Sequence, residues 1–187
     1  MDDLLDVARQ LQSFCDRQGW NSCVIGGLAV LRWGEPRVTR DVDLTLLTGF
    51  GAEESFVTTL LAEYPARVAD PATFARKNRV LLLQTPGGVG IDISLGALPF
   101  EELVVRHGTD YSYSSGLSIR TCSAEDLVVM KLFASRPLDV VDAQGVVLRH
   151  GKRLNWAYIE EQLGPLVELK EEPEILLTLA RLKILAA

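Results

Sequence analysis

Three aspartates carry the strongest chemical signal in this chain. Asp41 and Asp43 stand two apart in Arg40-Asp41-Val42-Asp43-Leu44-Thr45-Leu46-Leu47, and Asp92 sits in Gly90-Ile91-Asp92-Ile93-Ser94-Leu95. Both stretches are otherwise apolar and read as strands. Residues two apart on a strand point to the same face, with Cα atoms about 6.6 Å apart, so the first two carboxylates can converge. If the strand of Asp92 lies beside theirs, at about 4.8 Å, the third joins them. Acids on an apolar strand are costly without a cation or donors, and three together repel unless a divalent metal neutralises them. An all-oxygen set suits Mg2+ or Mn2+, whose shell is completed by water and substrate phosphates. Two such ions about 4 Å apart can stabilise the attacking and leaving oxygens of a phosphoryl displacement. The plain alternative for Asp41 and Asp43 is a solvated edge strand, against which Leu44, Leu46 and Leu47 argue for burial. Asp92 by itself could cap a hairpin or pair with an arginine.

A glycine pair stands upstream. Gly26 and Gly27 follow the apolar Val24-Ile25 and lead at once into a helical pattern ending near Trp33. Backbone N–H groups and the positive end of that helix would suit a triphosphate, and glycine permits the close approach. Alone, such a pair is a turn. Gly87-Gly88-Val89-Gly90 is not followed by a helix and reads as one. Lys131 is the lone charge between Leu127 and Ser135, on a face with Leu127 and Ala134; it either reaches a substrate or bends outward along its stem. Asp139 and Asp142, three apart on a helical face, either serve the same site or pair with Arg136 at the surface.

The elements that would position these residues follow from periodicity. Leu4, Leu5, Ala8, Leu11 and Phe14 mark a first helix to Arg17, ended by Gly19, and residues 21–25 a buried strand. After the short helix and the strand of Asp41 and Asp43, a helix is expected over 53–63. Strands at 79–84 and 90–95 are joined by Pro86-Gly87-Gly88, a helix spans 99–107 and a short strand 117–121. Ser123 with Asp126 resembles a capping box opening a helix over 124–135. Further helices are expected at 138–148, 156–163 and 171–185. No repeat, low-complexity tract or long linker interrupts the chain. The organisation is α/β (α+β): a core at 1–122 with a mixed sheet flanked by helices, then a helical cap at 123–187.

Gly26-Gly27, the short helix and Thr39-Arg40-Asp41-Val42-Asp43-Leu44, with the later Asp92, resemble the DNA polymerase beta-like nucleotidyltransferase superfamily. Ser123-Ala-Glu-Asp-Leu-Val-Val-Met-Lys131 through Arg136-Pro-Leu-Asp139-Val-Val-Asp142 is similar to the helical motif of small bacterial AbiEii-type nucleotidyltransferases, many of them toxins of toxin–antitoxin pairs. The likeness spans residues 5 to 165. It implies that Asp41, Asp43 and Asp92 hold Mg2+ or Mn2+, and that Asp92 acts as, or orients, the base for the acceptor hydroxyl. It gives Lys131 contact with the nucleotide phosphates, Asp139 or Asp142 a role in orienting it or touching substrate, and Arg40 a weaker phosphate contact. The reaction implied moves a nucleoside monophosphate from a nucleoside triphosphate to a hydroxyl of RNA, tRNA or protein, with a cognate antitoxin or toxin as possible partner. Small aminoglycoside nucleotidyltransferases resemble the 37–44 stretch too, and a non-catalytic antitoxin-like binding module is the reading from another class.

Composition narrows these choices. The 187 residues are 48% hydrophobic and 24% charged, ordinary for a globular chain. No apolar run approaches the ~18 residues that span a bilayer, and the acidic start Met-Asp-Asp-Leu-Leu-Asp is opposite to a signal peptide, so a cytoplasmic protein is expected. Cys15, Cys23 and Cys122 lack metal-ligand spacing and read as reduced structural thiols, while His107 and His150 offer little for zinc or a histidine triad. A net charge of −6 argues against non-specific coating of nucleic acid. It leaves room for a local basic path through Arg32, Arg37 and Arg40, or Arg136, Arg149, His150, Lys152 and Arg153, the latter more simply a solvated helix end.

Overall fold

Alternation of apolar and polar side chains builds the sheet in the computed structural model, which describes residues 2–186. Met1, Ala187 and the side chains of Asp2 and Asp3 lie outside the described residues, and with them part of the acidic start. The elements run α1 (Asp2–Arg17), β1 (Ser22–Val24), α2 (Gly26–Trp33), β2 (Asp41–Leu47), α3 (Glu53–Glu63), α4 (Pro71–Asn78), β3 (Val80–Gln84), β4 (Gly90–Gly96), α5 (Pro99–His107), β5 (Thr109–Ser114) and β6 (Leu117–Thr121). Then come α6 (Ala124–Ala134), α7 (Pro137–His150), a 3-10 turn (Gly151–Arg153), α8 (Trp156–Lys170) and α9 (Glu174–Leu185).

The chain forms two compact units: 1–28 with 38–122, and 29–37 with 123–187. The division expected at 122/123 therefore needs one change, because Ala29–Arg37 groups with the second unit. In the first unit six strands form one mixed sheet of order β3-β4-β2-β1-β6-β5. β2 lies parallel to β4 and β1 parallel to β6, while the other neighbours are antiparallel. Helices α1 and α5 pack on the central strands and α4 on β3. β2 buries Val42, Leu44 and Leu46, β4 buries Ile91, Ile93 and Leu95, and β3 buries Leu81 and Leu83. Each such side chain is worth about 1.5–3 kcal/mol when taken from water. The residues between them, Asp41, Asp43, Leu82 and Asp92, are half-buried and face the other way. Leu44 and Leu46 thus bury on the face opposite the acids. They anchor the strand without enclosing its carboxylates.

The second unit is organised by α6, which buries Leu127, Val128, Val129 and Leu132 and is touched by α7, α8 and α9. Its start is capped as the Ser123–Asp126 spacing predicts: Ser123 Oγ accepts from the Asp126 N–H at 3.1 Å and donates to its carboxylate at 2.6 Å. Tyr158 donates to the other Asp126 oxygen at 2.6 Å, so a fully buried acid keeps two hydroxyl donors.

Three elements depart from the sequence reading. α4 was not expected, although Asp70-Pro71 opens it with a side-chain cap on Thr73 N–H at 3.2 Å. β5 was missed because Thr-Asp-Tyr-Ser-Tyr-Ser has no apolar alternation and is almost wholly exposed. α8 runs past Gly164-Pro165 to Lys170, since Ile159, Leu163, Leu166 and Val167 still bury on one side and outweigh the N–H that proline lacks. None of the three cysteines is in a disulfide and all are buried, with Cys15 pushed by burial to a pKa of about 11. Among the described residues no helix is long and apolar enough to cross a membrane.

Candidate active site

Parallel pairing of β2 with β4 places Asp43 directly opposite Asp92 and Asp41 opposite Gly90. The three predicted carboxylates therefore share one face of the first unit's sheet. Two glycines make room for them. A Cβ on Gly90 would fall 2.0 Å from Asp41 Oδ1, and one on Gly26, whose φ is +59°, would fall 2.0 Å from Asp43 Oδ2. Gly27 donates its N–H to the same Asp43 oxygen at 3.3 Å, an anion at a helix N-terminus. A Cβ on Gly27 would strike Thr39 Oγ1 at 2.2 Å. The Gly26-Gly27 pair, expected from the sequence to admit a triphosphate, admits two side chains of its own chain, Asp43 and Thr39. Arg40 is exposed just before the acids.

Sequence reasoning missed one residue of this face. Arg67, in the loop between α3 and α4, forms an ion pair with Asp92. Its backbone is tied to β3: Ala66 bridges Leu83, and Arg67 N–H donates to Leu82 O at 3.0 Å. Leu82 pairs with Asp92, which pairs with Asp43, so Arg67, Leu82, Asp92 and Asp43 form one row across the strands. A loop arginine without periodicity carries no sequence signal of this kind. Burial pushes the Asp92 carboxyl above the ordinary carboxylate range; Arg67 opposes that, and the charges of Asp43 and Asp41 add to it.

The donor set is carboxylate only, which fits a hard divalent cation such as Mg2+ or Mn2+. Asp41, Asp43 and Asp92 are the side chains that would hold one. They are not drawn to a common point: among the described residues no group of three or more His, Cys, Asp or Glu is gathered for a metal. Asp43 accepts from the Gly27 N–H, and Asp92 is paired with Arg67.

The second unit holds the remaining predicted residues. Lys131, only 7% exposed, turns inward and places Nζ 2.9 Å from Asp139 and 2.8 Å from Asp142. Arg37 grips Asp142 with two bonds of 2.7 and 2.8 Å, and Arg136 bonds Asp139 through both Nε and Nη2. The pairing with Arg136 considered for these acids occurs at Asp139, but both carboxylates are buried, at 2% and 4% exposure, and Asp142 takes Arg37 instead. Burial would push their carboxyls up, but the bonds from Arg136 and Lys131 to Asp139, and from Arg37 and Lys131 to Asp142, outweigh it and hold both pKa values low. In the basic segment, Arg149 donates to Gly34 O and Arg153 lies 3.0 Å from His150 Nδ1.

Comparisons with known proteins give the family and the fold. The family model described as "Nucleotidyl transferase AbiEii toxin, Type IV TA system" matches residues 23–144, which include all the acids above and Lys131. No curated protein matches the chain. Among solved structures, an antigenic nucleotidyltransferase-like protein from Paracoccidioides brasiliensis is similar with a TM-score of 0.55 at 17% identity, covering 96% of this chain and 93% of the other. The solution structure of antibiotic-resistance factor ANT(2'')-Ia is similar with a TM-score of 0.58 at 14% identity, covering 91% and 94%. These likenesses show the fold. The chain is a nucleotidyltransferase and belongs to the AbiEii family.

Proposed function

We propose that this nucleotidyltransferase is metal-dependent, moves a nucleoside monophosphate from a nucleoside triphosphate to a hydroxyl of RNA or protein, and acts as the toxin of a toxin–antitoxin pair. The observation that carries the catalytic part is the shared face of Asp41, Asp43 and Asp92, with Asp43 and Asp92 directly opposite on parallel strands. Mg2+ or Mn2+ bound there supplies Lewis-acid polarisation of the reacting phosphate. Asp41 and Asp43 would hold the ion, and Asp92 would complete its site. In this reading Asp92 takes the acceptor's proton, or orients the group that does. The acceptor oxygen then bonds to the α-phosphorus, the α–β bridging bond breaks, and pyrophosphate leaves with that electron pair. The reading assigns the phosphates to the start of α2, where Asp43 now holds the Gly27 N–H, and to Arg40. Within the second unit, Lys131 is held by Asp139 and Asp142. The toxin role rests on the family, and RNA or protein as acceptor on that role.

A second acceptor class, a polycationic aminoglycoside, is favoured by the net charge of −6. One assay separates these readings. The protein is incubated with each labelled nucleoside triphosphate and Mg2+, with total RNA, with cell protein or with an aminoglycoside. Label in RNA or protein supports the proposal, label in the drug selects the second reading, and label nowhere overturns both. Asp41→Asn is expected to lower transfer at least about 100-fold, about 3 kcal/mol of barrier, with the fold intact by circular dichroism. A folded Asp41→Asn protein with full biological activity would show a binding module instead.

A further inference from the structure

Arg67 is not explained by packing. It lies in an exposed loop, yet backbone pairing to Leu82 and Leu83 sets it in the row that continues through Leu82 to Asp92 and Asp43. Its position comes from the register of the sheet, and so does not depend on the rotamer of a mobile side chain. From there the guanidinium reaches over half-buried Leu82 to Asp92, and its Nη1 lies 3.4 Å from where a Gly90 Cβ would be. Asp41 Oδ1 occupies the space above the same glycine. The cation of Arg67 thus stands over the face on which Asp41 and Asp92 are presented.

We propose that Arg67 is the resident counter-ion of Asp92 and competes with the divalent cation for it: it holds Asp92 while the metal is away and releases it when the metal binds. This rests on the metal-dependent reading above. Three carboxylates on one face repel strongly when no cation is present. A guanidinium is always charged and cannot relieve the site by losing a proton, so it either stays on the acid or swings away intact. The side chains of Arg67 and Asp92 are 30% and 32% exposed, which leaves the arginine room to turn outward into water. Arg67 is a positioning residue in this scheme. It sets how much binding energy the metal must supply to draw Asp92 toward Asp41 and Asp43, and no bond of the reaction forms at it.

Metal affinity in the absence of nucleotide tests this. Binding of Mn2+ to the full chain is followed by the electron paramagnetic resonance signal of the free ion, for the wild type, Arg67→Gln, Arg67→Lys and Asp41→Asn. Arg76→Gln makes the same charge change on exposed α4 and serves as the control. Arg67→Gln is expected to bind Mn2+ at least fivefold tighter than the wild type, Arg67→Lys to lie between them, and Arg76→Gln to match the wild type. The rise in melting temperature on adding Mn2+ is expected to be larger in Arg67→Gln for the same reason. Unchanged or weaker Mn2+ binding in Arg67→Gln, with binding in the wild type still abolished by Asp41→Asn, overturns the counter-ion proposal alone. An equal gain in Arg76→Gln also overturns it, since the effect would then be one of net charge. Absence of Asp41-dependent Mn2+ binding in both the wild type and Arg67→Gln overturns the metal reading itself.

Discussion

Two clusters of charge in this molecule are built from the same residue types and come out opposite. On the face of β2 and β4, three carboxylates share open, half-buried ground, and Arg67 on Asp92 does not offset the burial and repulsion that raise that acid's pKa. Beneath α6 and α7, two carboxylates are met by Lys131, Arg37 and Arg136, and their pKa values fall although they are more deeply buried. Burial alone pushes Asp92, Asp139 and Asp142 the same way, so the difference lies in the neighbouring charges: two acids and one arginine around Asp92, two cations on each of the others. Around Asp92 negative charge outweighs positive, which is what the proposed metal site requires. The second cluster is satisfied and holds two helices together.

The sharpest way to break this comparison is to remove the central cation of the satisfied cluster. Lys131→Met leaves two buried carboxylates with the arginines alone, and is expected to destabilise the protein by about 3–5 kcal/mol, read from its urea midpoint. Gly90→Ala tests the open cluster without touching an acid. The new Cβ strikes the end of the Asp41 side chain, which must turn away, and lies 3.4 Å from Arg67 Nη1. Transfer is expected to fall about tenfold or more, about 1.4 kcal/mol of barrier, while the urea midpoint moves little. The smallest effect belongs to Arg136, whose side chain is 75% exposed. Arg136→Ala is expected to cost about 0–1 kcal/mol once screening is allowed for. It also bears on pH. The folded pKa of Asp139 lies below its unfolded value of about 3.9, so the stability it adds is present above that value and lost as pH falls through the folded one. Without Arg136 the folded pKa rises toward the unfolded one, and acid titration of the unfolding midpoint is expected to show a smaller loss over that window.

What could be read beforehand divides along a physical line. Asp41, Asp43 and Asp92 were legible because an acid among strand-forming residues contradicts its surroundings, and Lys131 was legible for the same reason in a helix. Their partners were not. That β2 and β4 run parallel and side by side depends on a long-range pairing with β3 beyond it, which local periodicity does not encode. Arg37, about a hundred residues from Asp142, and Arg67 in a loop look like any surface arginine until register brings them in. Gly26 and Gly27 stand out in the sequence as a cradle for phosphate, and in the structure Asp43 and Thr39 are what approaches them. The polar β5 and the proline-bearing α8 failed for a related reason, since strand pairing and burial overrode weak or contrary local signals.

The loop that delivers Arg67 has an effect at the margin of the molecule as well. A strand at the end of a sheet offers unpaired amides and carbonyls to any passing chain, which is how stacked aggregates start. Along β3 that hazard is blunted by the tract at 65–67, where Pro65 accepts from Gln84 and Ala66 and Arg67 engage Leu83 and Leu82. At the opposite margin β5 is polar, and its register slips between Ser112 and Ser114. Both borders are thus poor templates for further strands, which should keep concentrated solutions of the protein clear of fibrils.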